Sequence, residues 1–196
     1  MQIGLFFGSF NPIHNGHLII ANHIAMTTAL DEVWFIVSPQ NPFKSKGSLL
    51  NEYHRLHLIQ LSIEGEHQLR ASNIEFKLPK PSYTINTLTY LKEKYPAHAF
   101  TLIMGSDGFQ NISNWKNAEV IIKNYPIIIY KRAGFEIDNT LGAQVTVTDA
   151  PLLQISSTHI RYMIKNGLSI RYLVPDIVKE EIEKNRYYSS SLENPS

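Results

Sequence analysis

Residues 4–20 read GLFFGSFNPIHNGHLII. The apolar run Ile3 to Phe7 stops at Gly8, and a helix-period pattern begins at His17. A short unbroken apolar run is what a strand buried on both faces requires. His14 and His17 stand between strand and helix, three residues apart, with Gly16 between them.

Outward from this stretch the same alternation continues. His17 to Thr28 reads as a helix with Leu18, Ile19, Ala21, Ala25 and Met26 on its apolar side. EVWFIVS (residues 32–38) reads as a strand, and PQNPFKSKGSL as a polar loop. Asn51 to Ile63 reads as a helix packing on Leu56, Ile59 and Ile63, and LRASNIEF (69–76) as a strand. Thr84 to Tyr95 is an expected helix and AFTLIM (99–104) an expected strand. SNWKNAEVIIKNY (113–125) reads as one helix capped by Ser113. PIIIY and VTVTDA are further strands. STHIRYMIKNG is a helix stopped by Asn166 and Gly167, and Pro175 suits the first turn of a last helix ending near Tyr187. Strands alternating with helices argue for an α/β protein, a parallel sheet wound on both faces. In such sheets ligands bind at the carboxyl ends of the strands, near the point where strand order reverses. Gly8 to Asn15 should lie on that rim, with His17 in the first helical turn.

At 196 residues the chain suits one sizeable domain, expected over 1–188, with a disordered tail over 189–196. A formal net charge of +1 argues against nucleic acid as a partner. The absence of cysteine excludes disulfides and thiolate metal sites. MQIGLFFG lacks the basic start of a signal peptide, and no apolar run approaches the roughly 20 residues that span a membrane. A soluble cytoplasmic protein acting on small molecules is the expectation, and a homo-oligomer is compatible with it.

Gly8 permits a sharp turn and close approach of a ligand. The helix after it offers unpaired N–H groups and a partial positive charge, a setting that favours phosphate. Two imidazole N–H donors would suit a phosphoryl oxygen, although such a pair near a helix start is more often a cap or a surface feature. Zinc would need a third and fourth ligand. His54 and His57 read as a solvated helix face. Neither GxxxxGK[ST] nor GxGxxG is present, so a phosphate site here needs another design. Near the other end, ISSTHIR (155–161) supplies hydroxyls and free N–H groups at a helix start, with Arg161 one turn in. A guanidinium fork can hold two phosphate oxygens at once.

GSFNPIHNGHL resembles the HxGH signature of the nucleotidyltransferase superfamily, and ISSTHIR resembles its second signature; a Rossmann-like fold is implied. PSYTINTL (81–88), the LIMGSDGFQNISNWKNAEVI segment, YKRAGF and the C-terminal region resemble bacterial nicotinate-mononucleotide adenylyltransferases over nearly the whole chain. The resemblance implies transfer of an adenylyl group from ATP to nicotinate mononucleotide, giving deamido-NAD and pyrophosphate in NAD biosynthesis. It implies that Gly8, Ser9 and Phe10 line the pocket through backbone atoms, and that His14 and His17 contact the ATP phosphates. Gly105 and Asp107 would hold the adenosine part. Ile155, Ser156, Ser157, Thr158 and Arg161 would form the triphosphate end, joined by Lys44 of NPFK, which is similar to the family's PPHK. Ser82, Tyr83, Thr84 and Trp115 would surround the pyridine nucleotide, and Arg132 would contact phosphate on the substrate side. Mg²⁺ would be held mainly by the ATP phosphates, with no protein metal ligand expected.

The chain departs from the family pattern at Phe7, Ser9 and Asn11 of FGSFNPIH, at Phe43 and at Asn86. Phe7 is expected to point into the core as the last strand residue. Nicotinamide mononucleotide, pantetheine phosphate, or nucleotide sensing without turnover are the competing readings. Choosing acid over amide depends on local N–H donors.

Overall fold

The computed structural model describes residues 1–40, 49–137, 139–151 and 153–189. The Pro39–Leu50 loop with Lys44, Lys46 and Phe43 lies largely outside them, as does the expected tail from residue 190 on.

Six strands form one sheet: β1 Gln2–Gly8, β2 Glu32–Val37, β3 Leu69–Ser72, β4 Ala99–Gly105, β5 Ile127–Tyr130 and β6 Val145–Thr148. Their order is β3-β2-β1-β4-β5-β6, and every pairing is parallel. Helices α1 (Asn15–Thr27), α2 (Glu52–Ser62), α6 (Ser157–Lys165) and α7 (Asp176–Lys184) pack in one core; α3 (Thr84–Lys94), α4 (Ser106–Gln110) and α5 (Ala118–Asn124) pack in the other. Alternate strand residues feed the two cores. Val33, Phe35 and Val37 join the first, and Trp34 and Ile36 the second, as a two-residue period dictates. Burial of each such side chain stabilises by about 1.5–3 kcal/mol, so the central strands carry most of the cohesion. The doubly wound parallel sheet expected from the alternation is therefore what forms.

Strand order reverses between β1 and β4, whose carboxyl ends are Gly8 and Gly105. The site is built on this rim, with both cavities meeting at Gly8.

Several boundaries differ from the sequence expectation. α1 begins at Asn15, because His14 caps it: the Nδ1 of His14 accepts the His17 backbone N–H at 3.3 Å. Its buried stripe is Ile20, Ala21, Ile24 and Ala25, and Met26 turns outward at 60 % exposure. LRASNIEF is strand only to Ser72, since the Ser72 hydroxyl accepts the Ile74 N–H and turns the chain into a 3₁₀ segment, Ile74–Lys77. SNWKNAEVIIKNY is not one helix. Trp115 is extended and Asn117 sits in the left-handed region at φ 55°, so α5 starts at Ala118 and Ser113 caps nothing. The short α4 after Gly105 escaped the sequence reading. Phe7 is not the last strand residue, which is Gly8; it is half-buried at the rim and packs against the second core. The Gly167 stop does form, with the Leu168 N–H reaching Met163 and the Gly167 N–H reaching Ile164.

Candidate active site

Two cavities open on the carboxyl rim and meet at Phe7 and Gly8. One, of about 520 Å³, is polar; the other, of about 440 Å³, is walled by aromatic rings.

The polar cavity begins with the turn after β1. A Cβ at Gly8 would run into the Phe10 ring at 2.7 Å, so glycine is required there by packing. The left-handed residue of the turn is Phe10, at φ 45°. Its ring meets those of Phe6, Phe35 and His17 edge-on, which holds the strained backbone in place. His14 and His17 stack with ring centroids 3.7 Å apart. Gly16 leaves room for this stack, since a Cβ would press on His14 Nδ1 at 3.1 Å. His14 is 5 % exposed, and burial, seconded by the charge of Arg132, pulls it down to about 4. It is therefore neutral at pH 7. With Nδ1 occupied as an acceptor, its proton belongs on Nε2.

The far end of the chain closes on the same turn. Ser156 caps α6 by accepting the His159 N–H. The Ser157 hydroxyl donates to the Pro12 carbonyl at 2.8 Å. Arg161 donates through Nη1 to the Asn11 carbonyl at 2.7 Å and through Nη2 to Thr158 Oγ1 at 3.3 Å. Asn15 Nδ2 holds the Tyr172 carbonyl at 2.7 Å. Thus Gly8, Ser9, Phe10, His14, His17, Ile155, Ser156, Ser157, Thr158 and Arg161, all singled out in the sequence, line one cavity.

Beneath it, Arg55 of α2 is fully buried and donates to the carbonyls of Ser9, Ser38 and Leu50. Those carbonyls belong to the β1–α1 turn, the exit of β2 and the entry to α2. One guanidinium thereby sets three rim segments relative to each other.

Arg132 stands with this cavity rather than with the pyridine residues. Its Nε is 3.4 Å from Asp107 Oδ1, and its backbone N–H is held by the Ser106 hydroxyl. Gly105 and Asp107 line neither cavity but buttress Arg132: a Cβ at Gly105 would strike Asp107 Oδ1 and come within 3.1 Å of Arg132 Nε.

The aromatic cavity gathers Ser82, Tyr83, Thr84 and Trp115 as the sequence suggested, with Phe7, Ser38, Asn114 and Lys116. Lys116 Nζ lies 4.7 Å over the Tyr83 ring. Tyr83 is the N-cap of α3 and makes no capping hydrogen bond through its side chain.

The chain matches the cytidylyltransferase-like family model over residues 5–163. A relative from Cytophaga hutchinsonii is 52% identical over 193 residues, covering 97% of this chain and 100% of the relative; it carries the name "Probable nicotinate-nucleotide adenylyltransferase". This chain belongs to the nicotinate-nucleotide adenylyltransferase family. A member from Flavobacterium johnsoniae is 48% identical over 96% of this chain and 99% of its own. The fold agrees with a solved Plasmodium falciparum nicotinic acid mononucleotide adenylyltransferase complexed with NaAD, with a TM-score of 0.83 at 23% identity over 95% of this chain and 97% of that one.

For this nicotinate-nucleotide adenylyltransferase family member, the sequence reading missed Glu75, Lys116, Asn114, Ser38 and Tyr130 among the lining residues. Lys116 follows Trp115 directly, and that adjacency was a usable signal. Glu75 carried none, because an expected strand hid the turn that buries it. Among the described residues, no group of three or more His, Asp or Glu stands ready to hold a metal.

Proposed function

We propose that this rim transfers the adenylyl group of ATP to the phosphate of nicotinate mononucleotide, forming deamido-NAD and releasing pyrophosphate, a step of NAD biosynthesis. The observation that carries the reading is the meeting of a polar, cation-bearing cavity with an aromatic one at Phe7 and Gly8. A polyphosphate in the first and a pyridine nucleotide in the second would bring two anions together over a residue with no side chain.

The mononucleotide's phosphate oxygen attacks the α-phosphorus of ATP. The bond from that phosphorus to the bridging oxygen breaks, and pyrophosphate leaves with the electron pair. The attacking group is already anionic, so no general base is needed; catalysis is positioning and charge neutralisation. Neutral His14 would donate from Nε2, and His17 would act beside it in the first turn of α1. Arg161, its plane fixed by Asn11 and Thr158, and the amides at the start of α6 would hold the β- and γ-phosphates. Lys44 would join them from the loop after β2. Among the described residues no Asp or Glu lines the polar cavity, a donor set that suits Mg²⁺ held by phosphate oxygens and water. When bound, Mg²⁺ would spread the charge that builds on the leaving pyrophosphate.

The acid form of the substrate is favoured by the aromatic cavity. The N-terminus of α3, uncapped by its Tyr83 side chain, offers N–H groups and positive potential to a carboxylate, and Lys116 adds a cation. Trp115 and Tyr83 offer faces to an electron-poor ring.

Pyrophosphate release from ATP, measured with nicotinate mononucleotide, nicotinamide mononucleotide and phosphopantetheine, tests the reading. The highest kcat/KM is expected with nicotinate mononucleotide. Release with none of the three, or with phosphopantetheine best, overturns it.

A further inference from the structure

Glu75 is 1 % exposed, yet it lines the aromatic cavity. Its Oε1 accepts the Thr87 hydroxyl at 2.7 Å. Its Oε2 is buried and completes no hydrogen bond, and neither does the nearby Ser82 hydroxyl. Two buried polar atoms on one cavity wall that complete no hydrogen bond require an explanation, because each keeps the cost of its lost hydration. Among the described residues no cation pairs with Glu75. The groups set around it are hydroxyls: Thr87 from the first turn of α3, Ser82 before that helix, and Ser38 after β2. Tyr83 and Lys116 are the other titratable groups on the cavity wall, and Lys116 is drawn over the Tyr83 ring.

An ionised carboxylate here would face the same helix start that suits a substrate carboxylate, and two like charges would share it. A protonated one would instead offer a donor beside an anion, a charge-assisted arrangement. We propose that Glu75 is the specificity-determining residue for the pyridine substituent: its carboxyl admits an anionic substituent while it keeps its proton, and turns the cavity toward the uncharged amide once the proton is lost. This rests on the adenylyl-transfer reading above. Burial pushes the Glu75 carboxyl above the usual range, and the three hydroxyls oppose that only in part. The protonated form thus persists to higher pH than in a free glutamate, and preference for the acid falls as pH rises through the Glu75 titration.

The test is KM and kcat for nicotinate and nicotinamide mononucleotides from pH 6 to 9, in the wild type, Glu75→Gln and Thr87→Val. In the wild type, KM for the acid is expected to rise roughly tenfold across the Glu75 titration relative to KM for the amide, with kcat little changed. Glu75→Gln, fixed neutral and nearly isosteric, should lose that pH dependence and keep the acid preference. Thr87→Val removes the strongest of the hydroxyl contacts that hold the Glu75 carboxyl down and should move the transition to higher pH. A ¹³C NMR titration of the Glu75 carboxyl should follow the kinetic transition. Turnover whose acid-to-amide ratio is flat with pH, or identical in wild type and Glu75→Gln, overturns the proposal while leaving the adenylyl-transfer reading intact. No turnover with either mononucleotide overturns both.

Discussion

At the scale of single residues, the two histidines divide their tasks by environment. His14 is buried, has Nδ1 committed to the cap of α1, and has been brought down to about 4. A depressed base takes up a proton less readily folded than unfolded, so its contribution to stability is full above about 6.5 and is lost as pH falls toward 4. The full shift corresponds to about 3 kcal/mol. Urea unfolding at pH 7 and pH 4.5 should therefore show an acid loss in the wild type that is smaller in His14→Gln. His17, half-buried, stacks on His14 and packs against the Phe6 and Phe10 rings. His17→Ala is expected to lower kcat/KM by roughly 2–4 kcal/mol in barrier terms, the scale of a lost transition-state donor. Steady-state kinetics with ATP and nicotinate mononucleotide check it; near-normal turnover removes His17 from the mechanism.

At the scale of elements, α1 gives up helical stability for the geometry of its first turn. Glycine inside a helix costs about 1 kcal/mol relative to alanine. Gly16→Ala should therefore hold or raise the melting temperature while its Cβ, 3.1 Å from His14 Nδ1, shifts the imidazole and cuts kcat. Equal activity with equal stability would mean the ring yields at no cost to catalysis. The elements also mark what could be read in the letters. The alternation of apolar runs and helix patterns was legible because strands buried on both faces must be continuous, and helices beside them must be amphipathic. The HxGH and ISST segments were legible because a helix start and the imidazoles or hydroxyls beside it are local in sequence. The break at Trp115 was not, since a left-handed Asn117 is a tertiary choice that places an indole at the cavity. Glu75 and Arg55 were hidden for the same reason. A buried acid and a buried guanidinium look like ordinary surface charges until the segments that surround them, up to 46 residues away for Arg55, are folded.

At the scale of the whole molecule, the polar cavity is assembled from both ends of the chain. The carbonyls of Asn11 and Pro12 take the Arg161 and Ser157 side chains. A ligand bound by both walls stabilises the folded state by RT ln(1 + [L]/Kd), about 2.7 kcal/mol at a hundredfold excess over Kd. Saturating ATP should raise the melting temperature of the wild type and slow amide exchange in α1 and α6 together. In Arg161→Ala that joint protection should shrink while α3 and α5 are unaffected. Protection confined to one helix would mean the two walls do not grip the same molecule.

The 150 residues that separate Asn11 from Arg161 have a consequence during synthesis. While α6 is still inside the ribosome, the emerging polypeptide owns the imidazoles but lacks the hydroxyls and the guanidinium opposite them. The polar cavity therefore gains its second wall only once Ser157 and Arg161 have emerged and reached the carbonyls of Pro12 and Asn11.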